Sequence, residues 1–247
     1  MAGLSRTVIG LSLLSVGGCG AFLLRWKRRS VVPPPSYVSR TGQEFPLETP
    51  RWCEESENGE PLPLMLTRLP GITRQQIRTG VRSLWRYAAS FPMECDEPIS
   101  LGEGCTPLVK RPFAGSNSVS FKCEWNNPTC SFKDRGTTVM LSLLRQQGIT
   151  RVLEDSSGNG GASVACYAAA GGLQAIIMAP DSTSPAKTVQ MQAHGASVEL
   201  IPGSRQATAD AAVASHGRGG NLFYASHNWF VTRNTRPHAT SPASATT

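Results

Sequence analysis

The chain has 247 residues, 40% of them hydrophobic and 17% charged, with a formal net charge of +7. That length buries a sizeable core in one large domain or two small ones. Because six of the seven net positive charges fall before Glu44, the remainder has no basic face for nucleic acid. Seven cysteines, an odd number with no C-x-x-C pair, exclude a disulfide scaffold and a zinc site and point to a reduced, cytoplasmic protein.

Residues 1–30 read as an apolar and basic extension or anchor. Thr7 to Leu24 is an uncharged, mostly apolar run, followed at once by Arg25-Trp26-Lys27-Arg28-Arg29. At 18 residues the run sits at the lower edge of bilayer-spanning length. A positive cluster behind it opposes secretion. Membrane contact through residues 7–24, organellar targeting and a plain extension therefore stay open. Residues 31–50, with Pro33-Pro34-Pro35, read as a stiff polar linker. Residues 51–231 read as the folded domain, and 232–247 as a disordered tail of Thr, Arg, Asn, Pro, Ala and Ser.

Within the domain, Val81, Leu84, Trp85 and Ala88 have helical spacing, which predicts a helix over 78–89. A regular alternation follows. Strands are expected at 119–124, 151–155, 175–179, 198–201 and 222–225, and helices at 132–147, 161–170, 186–194 and 206–215. Alternating strands and helices predict an α/β fold, a parallel sheet covered by helices on both faces. In such sheets ligands sit at the carboxyl ends of the strands. His194 and His216 each precede a glycine at a helix end and read as C-terminal caps.

Two stretches carry the chemistry. In Ser131-Phe132-Lys133-Asp134-Arg135-Gly136, Ser131 and Asp134 have the spacing of a capping box. That spacing puts Lys133 in the first helical turn, where the field disfavours its ammonium form. A neutral amine is what attack on an aldehyde requires. In Ser156-Ser157-Gly158-Asn159-Gly160-Gly161, small residues join a strand to a helix. Glycine there allows close backbone approach, and the helix N-terminus offers N–H groups to an anion. The second stretch lacks both a P-loop lysine and the G-x-G-x-x-G spacing. Taken alone it is a tight turn or an anion loop.

The string from Glu124 to Gly136 resembles the lysine signature of the tryptophan synthase β-like (fold type II) enzymes that use pyridoxal 5′-phosphate (PLP), most closely the threonine synthases. The typical signature is Asn-Pro-Thr-Gly-Ser-Phe-Lys-Asp-Arg-Gly, and Cys130 stands at its glycine. Ser156 to Gly161 resembles the family's Ser-Ser-Gly-Asn-Thr-Gly loop, with Gly160 at the threonine. Gly102-Glu103-Gly104-Cys105-Thr106-Pro107-Leu108 resembles a third family segment. The resemblance implies that Lys133 holds PLP as an internal aldimine and moves protons of a small amino-acid substrate. It further implies that Asn159 bonds the phenolic oxygen of PLP, and that Ser156, Ser157 and Gly158 hold the substrate carboxylate.

The implied reaction is conversion of O-phosphohomoserine to threonine and phosphate. Threonine or serine dehydratase and cysteine synthase-like chemistry are the alternatives within the family, and a homo-oligomer is expected. The family's second Gly-rich loop, which grips the PLP phosphate, lies downstream of anything present here, so a C-terminally truncated chain is expected. A non-catalytic fragment and a nucleotide-binding α/β protein are the readings from other classes.

Overall fold

A computed structural model describes residues 33–59, 61–216 and 221–226. The readings of residues 1–30 and 232–247, and of the domain's end near 231, lie outside these. Among the described residues no helix is long and apolar enough to cross a membrane.

The central layer is a four-stranded parallel sheet. It is built from Arg151–Asp155, Gln174–Pro180, Ser197–Ile201 and Leu222–Tyr224. In chain order these are strands β8, β9, β10 and β11, and they lie side by side as β10-β9-β8-β11. Seven strands precede them. These are β1 (Ser36–Val38), β2 (Glu44–Pro46), β3 (Cys53–Glu55), β4 (Pro61–Pro63), β5 (Met65–Leu66), β6 (Leu108–Phe113) and β7 (Ser116–Lys122).

The sheet's strands form where the sequence offers short apolar runs. Val152, Leu153, Ile177 and Ala179 are wholly buried, as strands covered on both faces require. Four helices accompany them: α1 (Lys133–Gln146), α2 (Asn159–Gly171), α3 (Pro185–Ala193) and α4 (Arg205–Ser215). The path from β8 to β9 to β10 moves steadily one way, and the step to β11 returns across the sheet. Right-handed crossovers then place α2 and α3 on one face and α4 on the other.

Local chemistry fixes the helix ends. Helix α2 is rich in alanine and stops at Gly172, whose left-handed φ of 71° lets its N–H reach back to Ala168 and Ala169. Pro185 opens α3 without losing a hydrogen bond. The Ser204 hydroxyl accepts the Ala207 N–H at 3.1 Å and caps α4.

Three expectations meet a different structure. Residues 36–47, inside the segment read as a linker, carry β1 and β2, and β1 pairs antiparallel with both β2 and β5. Tyr37 and Leu47 pack with Leu64, Leu66 and Leu143 of α1 into a second small core. Strands of two or three residues are too short to show a period.

The helix predicted over 78–89 is a 3₁₀ stretch, Leu84–Ser90, broken at Tyr87. Its start is occupied elsewhere, because the Leu84 N–H donates to the Glu103 carbonyl and the Arg78 N–H to that of Arg86. The strand predicted at 119–124 exists as β7, but it pairs antiparallel with β6 and stands outside the parallel sheet.

Candidate cofactor and substrate site

Lys133 is the first residue of α1 and is half-buried. The turn before it is held from several sides. The Ser131 hydroxyl accepts the Lys133 N–H at 3.2 Å. Asp134, wholly buried, does not complete the expected capping box. Its carboxylate turns inward instead, accepting the Thr129 N–H at 2.8 Å, the Thr129 hydroxyl at 2.5 Å and the Ser163 hydroxyl of α2 at 2.7 Å. Three donors inside the core hold it there, because each would otherwise be left buried without an acceptor. Among the described residues the Lys133 amine has no hydrogen-bond or ion-pair partner and lies 5.3 Å from the Phe132 ring centre.

Cys130, in the same turn, has φ of 60°. That is the left-handed region, so the glycine of the family's signature has a steric reason here, and the cysteine is strained. Cys130→Gly is expected to raise stability by up to about 1 kcal/mol. A higher denaturant midpoint at unchanged slope would show it.

A second polar cluster braces the outer side of the turn. Arg135 grips both oxygens of Glu124, Nε to Oε2 at 2.8 Å and Nη2 to Oε1 at 2.8 Å. Thr106 and Asn127 donate to the same carboxylate at 2.9 and 3.0 Å, and the Gly104 N–H reaches Asn127 at 2.9 Å. The segment 102–108, read from sequence only as a family marker, is thus bolted to the lysine turn. Two cations in a helix's first turn are unfavourable. Glu124 offsets Arg135, while the Lys133 amine is left unpaired among the described residues.

The Arg135 guanidinium holds the Glu124 carboxyl far below its usual range, at about 2 rather than 4.5, against partial burial that pushes it up. A carboxyl whose folded value is depressed contributes stability above its unfolded value and loses it as pH falls through the folded one. Acid titration from pH 4.5 to about 2 should therefore erode this contribution. In Glu124→Gln that part of the curve of denaturant midpoint against pH should flatten.

Behind these clusters, Glu103 is wholly buried and accepts the Tyr167 hydroxyl of α2 at 2.8 Å and the Leu101 N–H at 2.9 Å. Burial, and then the Glu103 charge, push the Tyr167 hydroxyl's pKa up, so it stays a donor. Trp85 donates its indole N–H to Thr138 of α1 at 2.8 Å.

The small-residue loop lies at the carboxyl end of β8. Ser156 is buried, Ser157 and Gly158 are half-buried, and Asn159 is exposed as the first residue of α2. A Cβ built on Gly158 would meet nothing within 4 Å, so the loop opens onto free space there. A Cβ on Gly161 would lie 2.8 Å from the Ser156 carbonyl oxygen and 2.8 Å from Ile177. Gly161 therefore belongs to packing beneath the loop, while Gly158 faces outward.

The structure links the two motifs through Asp134 and Ser163. Lys133 precedes Asp134 directly, and Asn159 precedes Ser163 by one helical turn. Thr129, Asp134, Ser163, Glu124, Thr106 and Arg135 were not singled out from sequence as site residues. All but Ser163 lie inside or beside the motifs read from the sequence, and Ser163 is brought to them only by the fold.

His216 does not cap α4 as a cation. Burial pushes its pKa down, and its Nδ1 accepts the Tyr224 N–H at 3.3 Å. His227 lies outside the described residues. Among the described residues no cluster of His, Cys, Asp and Glu could hold a metal.

A family model of pyridoxal-phosphate dependent enzymes matches residues 99–240, and the chain belongs to that family, whose cofactor is PLP. The threonine synthase of Methanosarcina acetivorans is 36% identical over 138 residues, which make up 54% of this chain and 34% of that protein. The threonine synthase of Methanocaldococcus jannaschii is 33% identical over 139 residues, again 54% and 34%. The chain thus spans about a third of the length of these curated relatives. Among solved structures, a hydrogen sulfide-producing enzyme of Fusobacterium nucleatum is 29% identical, with a TM-score of 0.46, over 49% of this chain and 42% of that one.

Proposed function

We propose that this chain carries the lysine-bearing part of a threonine synthase-like PLP enzyme, acting on O-phosphohomoserine to give threonine and phosphate. The observation that carries the reading is the Lys133 amine. It is without a polar partner among the described residues, on a half-buried residue at a helix N-terminus, and the next residue, Asp134, bonds Ser163 of the helix that the small-residue loop opens. The residues present fit the cofactor: an unpaired amine for its aldehyde, and free space over a loop whose helix offers N–H groups to an anion. Bound there, PLP supplies the electron sink that makes the substrate's protons removable.

Lys133 would hold the cofactor by its amine and, once displaced by the substrate amine, carry protons to and from the substrate's α and β carbons. Asn159 would donate to the ring oxygen. Ser156, Ser157 and the Gly158 backbone would receive the substrate carboxylate. The relatives named threonine synthase, 36% and 33% identical, favour this substrate over those of the dehydratases and cysteine synthases.

Incubation with PLP, borohydride reduction and peptide mass mapping test the reading. A pyridoxyl label on the Lys133 peptide, absent in Lys133→Ala, is expected, together with phosphate release from O-phosphohomoserine. No label at Lys133 would sink it. Trp125 and Phe132 flank the lysine turn with 63% and 57% of their surface exposed. That openness to water favours a second reading, a chain that takes the label without turning over substrate by itself.

A further inference from the structure

We infer that Asp134 and Ser163 are positioning residues that set the Lys133 amine against the small-residue loop. This inference rests on the proposed role of Lys133. Neither side chain reaches open space, since Asp134 and Ser163 are both wholly buried. Their bond joins the heads of two helices that run from the two motifs. Asp134 Oδ1 accepts the Ser163 hydroxyl at 2.7 Å, and the same carboxylate holds both donors of Thr129 in the turn that leads to Lys133.

A close packing contact stands beside that bond. Ser163 Oγ lies 2.9 Å from Thr137 Oγ1, and the Thr137 hydroxyl donates to the Lys133 carbonyl at 3.0 Å. Each hydroxyl carries one proton, so with Ser163 donating to Asp134 and Thr137 to the Lys133 carbonyl the Ser163–Thr137 approach is a packing contact, and the hydrogen-bonded link to the lysine turn runs through Asp134. On α2, Ser163 stands four residues after Asn159, on the same helical face. Sliding or rotating α1 against α2 would have to break a buried, charge-assisted hydrogen bond. The pair thus holds the backbone that carries Lys133 at one position relative to the helix the loop opens, and a displacement of reacting groups by about 1 Å slows reaction by up to about 100-fold.

Ser163→Ala tests the inference, because it removes one hydroxyl and leaves Asp134 its two Thr129 donors. Pyridoxyl labelling of Lys133 at saturating PLP should be roughly tenfold slower per folded molecule. Ser163→Thr, which keeps the hydroxyl, should return the rate towards wild type. Leu64→Ala, in the second small core, which includes α1 only at Leu143, ten residues from Lys133, serves as a variant of lowered stability and should label at the wild-type rate. Wild-type labelling in Ser163→Ala, or equal slowing in Leu64→Ala, would overturn the inference.

Amide hydrogen exchange gives a readout that needs no cofactor. In Ser163→Ala exchange should quicken at Thr129 and in the first turn of α1, while the far end of α1 keeps its protection. Unchanged exchange there would overturn the inference. A wild-type chain that takes no label would defeat the proposed function instead, and exchange alone would then decide the link between the helices.

Discussion

Asp134→Ala should destabilise the chain by about 3 kcal/mol, since the Thr129 N–H, the Thr129 hydroxyl and the Ser163 hydroxyl all lose a buried acceptor. Ser163 keeps its contact with Thr137, which limits its share. The loss should fall on two elements at once, because the carboxylate serves the turn before α1 and the first half of α2. Denaturant unfolding measures it as a lowered midpoint. Asp134→Asn should recover only part, because the amide returns one acceptor and sets a new donor among three existing ones. A loss below about 1 kcal/mol in Asp134→Ala would mean that water reaches the turn and satisfies its donors.

The same carboxylate shows where reading the sequence stops. Ser131 and Asp134 have capping-box spacing, and local spacing alone predicts a bond between them. The donors that win, Thr129 and Ser163, are respectively five residues back and 29 residues on. Only the fold brings Ser163 close, so no local pattern could have named it.

The helices and strands of the parallel sheet were legible for the opposite reason. Each is bounded by its own residues: glycine after α2 and α3, Ser204 before α4, short apolar runs in β8 and β9. Residues 36–66 were not legible. Their strands run two or three residues each, and the alternation that identifies a strand needs at least four. The candidate site divides the same way. Lys133, Ser156, Ser157, Gly158 and Asn159 could be picked out because the chemistry needs those residue types in a motif. The clusters around Asp134, Glu124 and Glu103 that brace them are assembled from three separate segments, 101–106, 124–135 and 163–167.

The two glycines of the small-residue loop should respond in opposite ways to a larger side chain. Gly161→Val brings a side chain to within 2.8 Å of the Ser156 carbonyl oxygen, 2.8 Å of Ile177 and 2.9 Å of Met191. The methionine end can move, but the carbonyl is backbone and takes the loop with it. Ile177 and Met191 are wholly buried, so neither has solvent to move into. Overpacking of this kind costs about 1–3 kcal/mol. Gly158 has a negative φ of −152° and nothing within 4 Å of a built Cβ, so Gly158→Ala should leave the denaturant midpoint almost unchanged. Its methyl group would nevertheless occupy the space proposed for the substrate carboxylate. O-phosphohomoserine should then protect Lys133 from pyridoxyl labelling less well in Gly158→Ala than in wild type, at equal stability. Equal protection in both would move the carboxylate site away from Gly158, whereas a lowered midpoint in Gly158→Ala would show that the loop is packed on both sides.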